Sequence, residues 1–392
     1  MKSFGLLARI ITAIILGIVI GSFANEFFIR LFATFNGIFG NFLSFIIPFI
    51  IIGFIAPGIG TMGRGAGKLL GLSTVLAYIS TIIAGIFAFF VAKMLYPAIL
   101  NNQSIQQLSD PTNSLLSGFF DLPMTPPFEV FTALLISFVI GIGMAAIKGD
   151  FLLNVMIDFR DIVQLVIGKL IIPLLPIHIF GIFANMTYAG QVATILSVFA
   201  KVFIMIILLH LLYLLFQYSV AGAASKQNPF VMLKEMSPAY FTALGTQSSA
   251  ATIPVSLKHA KSLNVKNNVA DFTIPLFANI HLSGSTITLV SCSLAVLFLQ
   301  GHPSTFSSYM PFLLMLGVTM IAAPGVPGGA VMAAIGLLES MLGFDQMMVS
   351  LMIALYLAQD SFGTATNVTG DGAITSIIDS INKRMKVSND TP

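Results

Sequence analysis

One apolar segment near the carboxyl end of the chain carries four polar side chains at helical spacing. Asp360, Thr364, Asn367 and Asp371 are separated by four, three and four residues. At about 100° per residue, these spacings place all four within roughly 60° of one another on one helical face. A carboxylate at membrane depth costs several kcal/mol unless it has a partner. Because residues 267–382 contain no Lys or Arg, we expect a partner that comes and goes: a metal cation, a proton or a substrate ammonium.

The composition indicates that this segment belongs to a membrane protein. Of 392 residues, 57% are hydrophobic and only 8% are charged, whereas a soluble domain carries about 25% charged residues. A single cysteine excludes an internal disulfide and a cysteine-based metal or redox site. No basic patch interleaved with aromatic residues indicates nucleic acid, and no phosphate-binding glycine loop or nucleophile elbow indicates an enzyme. The two carboxylates could also be paired with lysines of other segments, namely Lys93, Lys169 or Lys201.

Six apolar segments come first in the chain, each near the length of a membrane span: residues 6–24, 37–57, 70–96, 128–147, 160–184 and 192–221. Residues 1–25 resemble a signal peptide, but their apolar stretch approaches full membrane length, so we interpret them as an uncleaved first span. With the amino terminus inside, the positive-inside rule places the loops around Arg64, Lys148 and Lys226 in the cytoplasm.

After the sixth span, two segments are interrupted by Gly and Pro. Residues 235–257 are flanked by Lys at both ends and are expected to enter the membrane from the cytoplasmic side. Residues 311–340 have no Lys or Arg at either end and are expected to enter the membrane from the outside. A span follows each, at residues 269–300 and 347–378. Paired broken segments of this kind mark transporter sites. The sequence therefore predicts an all-α polytopic membrane protein with eight transmembrane helices and two oppositely oriented re-entrant hairpins, arranged as inverted repeats.

The two interruptions have compositions suited to opposite charges. Residues 245–254 are rich in Ser and Thr, which allow close backbone approach and offer N–H groups to a carboxylate. Residues 323–329 are rich in Gly and Pro, and their exposed carbonyls suit hard cations such as Na⁺. The alternative is that both segments are pore loops of an ion channel.

Three motifs occur in order after the six spans: Ser-Ser-Ala-Ala-Thr-Ile-Pro at 248–254, Gly-Val-Pro-Gly at 325–328, and Asp…Thr…Asn-Val-Thr-Gly-Asp at 360–371. Over most of the chain they resemble the dicarboxylate/amino-acid:cation symporters, the family of the excitatory glutamate transporters. The string Gln359-Asp360-Ser361 and the missing aspartate at position 283 are most similar to the bacterial sodium/serine-threonine symporters.

This resemblance implies roles for individual positions. Asp360 would bind the substrate ammonium, while Asn367 and the backbone at 248–249 would bind the α-carboxylate. Asp371 with carbonyls at 277, 281 and 367 would form one Na⁺ site, and backbone oxygens at 279 and 321–323 another. The implied substrate residues are Ser248, Ser249, Val326, Gly328, Asp360, Gly363, Thr364 and Asn367. The implied cation residues are Phe277, Asn279, His281, Ile321, Ala323, Asn367 and Asp371.

The chain departs from the family pattern at three positions. Gly363 stands where members with acidic substrates carry an arginine, so it supplies no counter-charge and is expected to leave space. His281 and Ser283 replace an asparagine and an aspartate that help to form a third Na⁺ site with hydroxyls matching Ser80 and Thr81. His281 is either a hydrogen-bonded residue of a polar core or a proton-binding residue that replaces a Na⁺ site, because an unperturbed histidine titrates near pH 6.5.

We therefore expect a symporter of the cell membrane that imports a neutral amino acid, serine or threonine favoured, with Na⁺, by an elevator-type mechanism. The alternative is a proton-coupled carrier of neutral or dicarboxylic substrates; an ion channel and a receptor-like binder are the other classes.

By resemblance the chain is a homotrimer in lipid with both termini cytoplasmic. Residues 1–225 would form six spans, of which spans 1, 2, 4 and 5 are scaffold. Residues 226–386 would form the sites and move together with spans 3 and 6.

Overall fold

The structure, a computed structural model, describes residues 6–62, 68–100, 115–190, 192–302, 304–323 and 327–389, and within these it is helical without any strand. The first seven helices are α1 (Leu6–Gly21), α2 (Glu26–Met62), α3 (Lys68–Leu100), α4 (Val130–Ala146), α5 (Phe151–Val166), α6 (Ile172–Tyr188) and α7 (Val192–Ser225). The next seven are α8 (Pro229–Thr246), α9 (Ser249–Lys261), α10 (Asn267–Ile280), α11 (Ser283–Leu299), α12 (Phe306–Ala322), α13 (Gly329–Leu342) and α14 (Gln346–Asn389).

Several of these helices are suited to a membrane. In the described part of the chain, five helical segments are long and apolar enough to cross one: Glu26–Thr61, Leu69–Leu100, Phe151–Tyr188, Leu196–Ser225 and Asn267–Leu299. Two of these segments combine neighbouring helices, α5 with α6 and α10 with α11. The last helix is not among them, because hydroxyl, amide and carboxylate side chains interrupt its apolar sequence. The structure thus confirms an all-helical protein of membrane type, while length and composition alone do not give the predicted eight spans.

The first hairpin consists of α8 and α9, which pack against each other. Asn228 caps α8 by accepting hydrogen bonds from the backbone of Phe230 (2.9 Å) and Val231 (3.4 Å). The chain reverses at Gln247, whose φ of 54° is left-handed. Ser248 then caps α9 by accepting from the Ala251 backbone at 3.3 Å. The hairpin therefore turns inside the Ser/Thr-rich segment that the sequence singled out.

The second hairpin consists of α12 and α13. Helix α12 begins with a capping box. The Thr305 hydroxyl accepts a hydrogen bond from the Ser308 backbone N–H, and the Ser308 hydroxyl accepts one from the Thr305 backbone N–H. Helix α13 begins after Gly328, whose φ of 74° is left-handed and favours glycine. Val326, a predicted substrate residue, lies outside the described residues.

The predicted span at residues 269–300 is not continuous. It breaks into α10 and α11, and the two residues between them, His281 and Leu282, have extended or irregular backbone. The predicted span corresponds to the apolar segment Asn267–Leu299, which is long enough to cross a membrane. The break within it was not predicted, because no Gly or Pro stands at positions 281 and 282. The fifth predicted span, 160–184, begins earlier than expected: α5 starts at Phe151 and joins α6 through one π-helical turn, Ile167–Ile171.

Helices α11 and α14 form the centre of the molecule. Every residue of α11 from Ser283 to Leu297 is buried, and α14 packs against α7, α8, α10 and α11. Helix α11 also packs against α3. This arrangement encloses the polar face of α14 among the broken ends of its neighbours.

Candidate functional site

The first carboxylate of α14, Asp360, contacts the second hairpin. Its Oδ2 atom accepts a hydrogen bond of 2.7 Å from the backbone N–H of Gly328, which begins α13. Asp360 is only 5% exposed. The partner is a neutral donor, so no side chain of the described residues cancels the charge of this carboxylate. A buried carboxylate held in this way is suited to bind an ammonium or a cation.

Asn367 caps the amino end of α11 from another helix. Its Oδ1 accepts from the backbone N–H groups of Gly284 (2.7 Å) and Ser285 (3.2 Å), and its Nδ2 donates to the Ser285 hydroxyl at 2.9 Å. These bonds satisfy N–H groups that a helix start leaves without partners. The amide oxygen is therefore occupied, and only the second N–H of Nδ2 is available for the α-carboxylate that the resemblance assigned to Asn367.

The second carboxylate, Asp371, is paired with His281. The Nδ1 atom of His281 lies 2.8 Å from Asp371 Oδ1, and the two side chains are 0% and 2% exposed. Of the lysines considered from the sequence, Lys93 donates to the Ser304 carbonyl, and among the described residues no lysine forms an ion pair with either buried aspartate of the site. Asp371 therefore has a side-chain partner within the protein, and an exchangeable cation or proton at this carboxylate remains a prediction.

The other ring nitrogen of His281 enters a hydrogen-bond network with α3 and α7. His281 Nε2 lies 3.0 Å from the Ser80 hydroxyl and 3.5 Å from Gln217 Nε2. Gln217 also donates to the Ser80 hydroxyl at 3.1 Å, and Tyr213 donates to the Ser80 carbonyl at 2.6 Å. The network therefore joins α3, α7 and α14 to the break between α10 and α11.

Oxygen atoms near this network have no protein partner. The Thr81 hydroxyl, the Ser283 hydroxyl and Gln217 Oε1 are buried without a hydrogen bond in the described residues. Such oxygens suit a hard cation. In the same residues no cluster of three or more His, Cys, Asp or Glu could hold a metal ion, so a cation here would depend on hydroxyl, amide and carbonyl oxygens together with Asp371.

Gly363 lies at a close contact between α11 and α14. A Cβ atom on Gly363 would be 3.4 Å from the Thr288 hydroxyl and 3.5 Å from Ser285 Cα, while one on Gly284 would overlap the Gly363 carbonyl. A methyl group at position 363 would therefore make ordinary van der Waals contacts with α11, and room for a larger side chain there remains a prediction. Glycine at position 363 still supplies no positive charge for an acidic substrate side chain.

The remaining predicted residues fall into two groups. Thr364 is 6% exposed. Ser249, 2% exposed, begins α9, which packs against α14. A separate group comprises Asn279, Ile321 and Ala323, which line a cavity between α10, α12 and α2, whereas Phe277 is buried and its carbonyl accepts from the His281 backbone at 2.9 Å.

Two functional candidates were missed from sequence: Gln217 and Tyr213. Both are polar groups within the long apolar helix α7, and both are buried. A polar side chain inside a membrane span is itself a signal of function. That signal was available, but it did not show which of the other helices the side chains contact.

A membrane protein with two helix hairpins, buried carboxylates and broken helices at its centre has the features of a transporter. The chain belongs to the sodium:dicarboxylate symporter family, whose model matches residues 6–381, and the resemblance inferred from the motifs is thereby confirmed. It is similar to the serine/threonine transporter SstT of Acinetobacter baumannii strain AYE, with 26% identity over 362 residues, or 88% of this chain and 90% of that protein. The serine/threonine transporter SstT of Enterococcus faecalis strain ATCC 700802 / V583 is 25% identical over 376 residues, or 90% of this chain and 87% of that protein.

Proposed function

We propose that this protein is a secondary active symporter that imports serine or threonine together with Na⁺. Family membership supports coupling to Na⁺, and the names of its relatives support the two hydroxyl amino acids. The observation that carries the proposal is the environment of Asp360: a buried carboxylate without a cationic side chain, facing the tip of a hairpin. The ammonium of an amino acid would neutralise it.

The groups around Asp360 suit a neutral amino acid. The hydroxyl of Thr364 and the second N–H of Asn367 Nδ2 are donors on the same helical face, one and two turns from Asp360. Gly363 offers no positive charge for an acidic side chain. A small hydroxyl-bearing substrate needs no such charge, and it fits a site whose neighbouring helices approach each other closely.

Sodium would be carried at two places. One is the surroundings of Asp371, where the Phe277, His281 and Asn367 carbonyls are the proposed ligands. The other is formed by backbone oxygens of Asn279 and of Ile321–Ala323, at the ends of α10 and α12. Main-chain oxygens at helix ends lack intrahelical donors and carry partial negative charge, which favours a cation.

Alternating access would follow an elevator-type movement of residues 226–386 with α3 and α7 against a scaffold. The network of His281 supports this grouping, because Ser80 of α3 and Gln217 of α7 bond directly to it. We further propose a homotrimer with both termini in the cytoplasm. The apolar side chains exposed on α4 and α5, such as Val139 at 72% and Phe151 at 82%, are available to lipid or to neighbouring copies.

A competition uptake assay with purified protein in liposomes tests the proposal. Uptake of labelled serine is measured against each unlabelled amino acid, with an inward Na⁺ gradient and without Na⁺. We expect saturable, Na⁺-dependent accumulation that serine and threonine compete for and that glutamate and aspartate do not. Competition by acidic amino acids instead, or no uptake at all, would overturn the substrate assignment.

The second candidate is a proton-coupled carrier of neutral or dicarboxylic substrates. The observation that favours it is the direct contact of Asp371 with a nitrogen of His281, since Na⁺ prefers oxygen ligands. The same liposomes distinguish the two candidates: uptake that is independent of Na⁺ and follows an imposed pH gradient would support the proton-coupled carrier.

A further inference from the structure

A groove of about 720 Å³ lies between α1, α2 and α6, three helices of the proposed scaffold. Its residues on α1 lie between Arg9 and Leu16, and its residues on α6 lie between Pro173 and Phe180. On each helix these residues follow the first one by three, four and seven positions, so one face of each helix forms a wall. Phe32 of α2 lies between the two walls.

The two walls run in the same direction. Gly17 of α1 faces the Phe180 carbonyl, and Gly21 faces the Ala184 carbonyl, so a step of four residues on α1 matches a step of four on α6. Each wall covers seven residue steps, or about 10 Å of α-helix. One leaflet of a membrane contributes about 15 Å of hydrocarbon. The groove is therefore as long as the greater part of one leaflet.

The groove is basic at one end and apolar along the rest of its length. Arg9 is exposed and is the single charged side chain among the described residues of the lining. A guanidinium has five N–H donors and binds phosphate through two of them, so Arg9 can hold a phosphate beside a contact within the protein. Further along, Leu16 and Ile177 are 46% and 45% exposed, and the rings of Phe32 and Phe180 meet edge to face. These walls match a molecule with an anionic head and an apolar chain.

We propose that this groove binds an anionic phospholipid of the cytoplasmic leaflet, with its phosphate at Arg9 and an acyl chain along α1 and α6. The proposed orientation puts the amino end of α1 in the cytoplasm, and basic pockets between membrane helices on that side bind anionic head groups. The apolar surface of a neighbouring copy would bury the guanidinium without an anion, which is costly. The inference goes beyond the proposed function, because the groove lies in the scaffold and takes a ligand that is not transported.

Tryptophan fluorescence tests this site directly, because the chain contains no tryptophan. Ile177→Trp places one indole on the α6 wall, and Leu16→Trp places one on the α1 wall. Each variant is studied in bilayer discs of phosphatidylcholine that contain increasing fractions of phosphatidylglycerol or phosphatidylcholine with brominated chains, which quench tryptophan on contact. One basic residue near the membrane surface favours an anionic lipid about fivefold. Half-quenching should therefore need about five times less brominated phosphatidylglycerol than brominated phosphatidylcholine.

Four further variants identify the cause of this preference. Combined with Ile177→Trp, Arg9→Gln should remove it, while Arg9→Lys keeps the charge and should retain most of it. Lys148→Gln removes one positive charge from the exposed loop between α4 and α5 and should leave the preference unchanged. Leu212→Trp alone, on the exposed face of α7, should be quenched equally by both lipids.

Three results would overturn the inference. The first is equal quenching by the two lipids at Ile177→Trp and Leu16→Trp. The second is a preference that survives Arg9→Gln, or that Lys148→Gln removes as well, since the net charge rather than the groove would then cause it. The third is the absence of quenching by either lipid at both positions, which would show that protein covers the groove, as in contact with a neighbouring copy.

Discussion

The imidazole of His281 and the carboxylate of Asp371 form a buried pair, with Nδ1 and Oδ1 2.8 Å apart. His281 lies at the break between α10 and α11, and Asp371 lies on α14. A buried charge must be paired or hydrogen-bonded to be tolerated. This pair is therefore a structural link between the two helices as well as a part of the proposed cation site.

Replacing His281 with alanine should destabilise the protein. Asp371 would remain buried and without its side-chain donor, which typically costs about 3–5 kcal/mol when one partner of a buried pair is removed. His281→Asn keeps an amide donor at the position and should lose less. Thermal unfolding of both variants in detergent measures the difference, and an alanine variant as stable as wild type would show that the pair contributes little.

The dependence of transport on Na⁺ should respond to the same position. His281→Asn combined with Ser283→Asp shortens one side chain and adds a carboxylate beside buried oxygens, so substrate affinity should depend more steeply on Na⁺. Asp371→Asn removes the charged ligand and should flatten that dependence. Titration of serine binding at several Na⁺ concentrations measures both. Steepness unchanged in both variants would exclude a Na⁺ site at this pair.

Asp360→Asn should abolish uptake while leaving the protein folded. The amide keeps the shape of the side chain, but the attraction for an ammonium is lost, at about 1.5–3 kcal/mol or more. Asp271→Asn is the matched control, because Asp271 is 51% exposed and pairs with Lys261 at the surface. Uptake at the wild-type level in the Asp360 variant would refute its role.

Two glycines at the α11–α14 contact should respond differently to alanine. On Gly284 the new methyl group would overlap the backbone carbonyl of Gly363 and the side chain of Thr366, whereas on Gly363 it would make ordinary contacts of 3.4 Å or more. Gly284→Ala should therefore lose about 1–3 kcal/mol and Gly363→Ala much less. Melting temperatures of the purified variants compare them, and equal losses would contradict this packing.

The elevator proposal can be tested at a contact between α6 and α14. His178 Nε2 lies 3.0 Å from the Ser350 hydroxyl, and both residues line a cavity of about 320 Å³. With cysteines at both positions, a short bis-maleimide should join the helices and stop uptake if α14 moves past α6. Each single-cysteine variant is the control, and cross-linked protein that still transports would exclude the movement.

Local sequence patterns predicted the polar face of α14 and the Ser/Thr-rich and Gly/Pro-rich segments that separate the two helices of each hairpin. Both depend on local physics: helical periodicity places residues three and four apart on one face, and Gly, Pro and Ser/Thr runs interrupt or cap helices wherever they occur. The ends of α2 were less predictable. It begins at Glu26, and Arg30 in its first turns bonds the Ser117 carbonyl across 87 residues of chain.

The partners of the polar groups depend on how distant helices pack together. Asp371 meets His281 across 90 residues, and Asn367 caps α11 across 82 or 83 residues. The first contact lies at the break within the predicted seventh span, and the second occupies the amide oxygen of Asn367. A buried polar group requires a hydrogen-bond partner, but the sequence around it does not identify that partner. The partner is set by which helices from distant parts of the chain pack against each other.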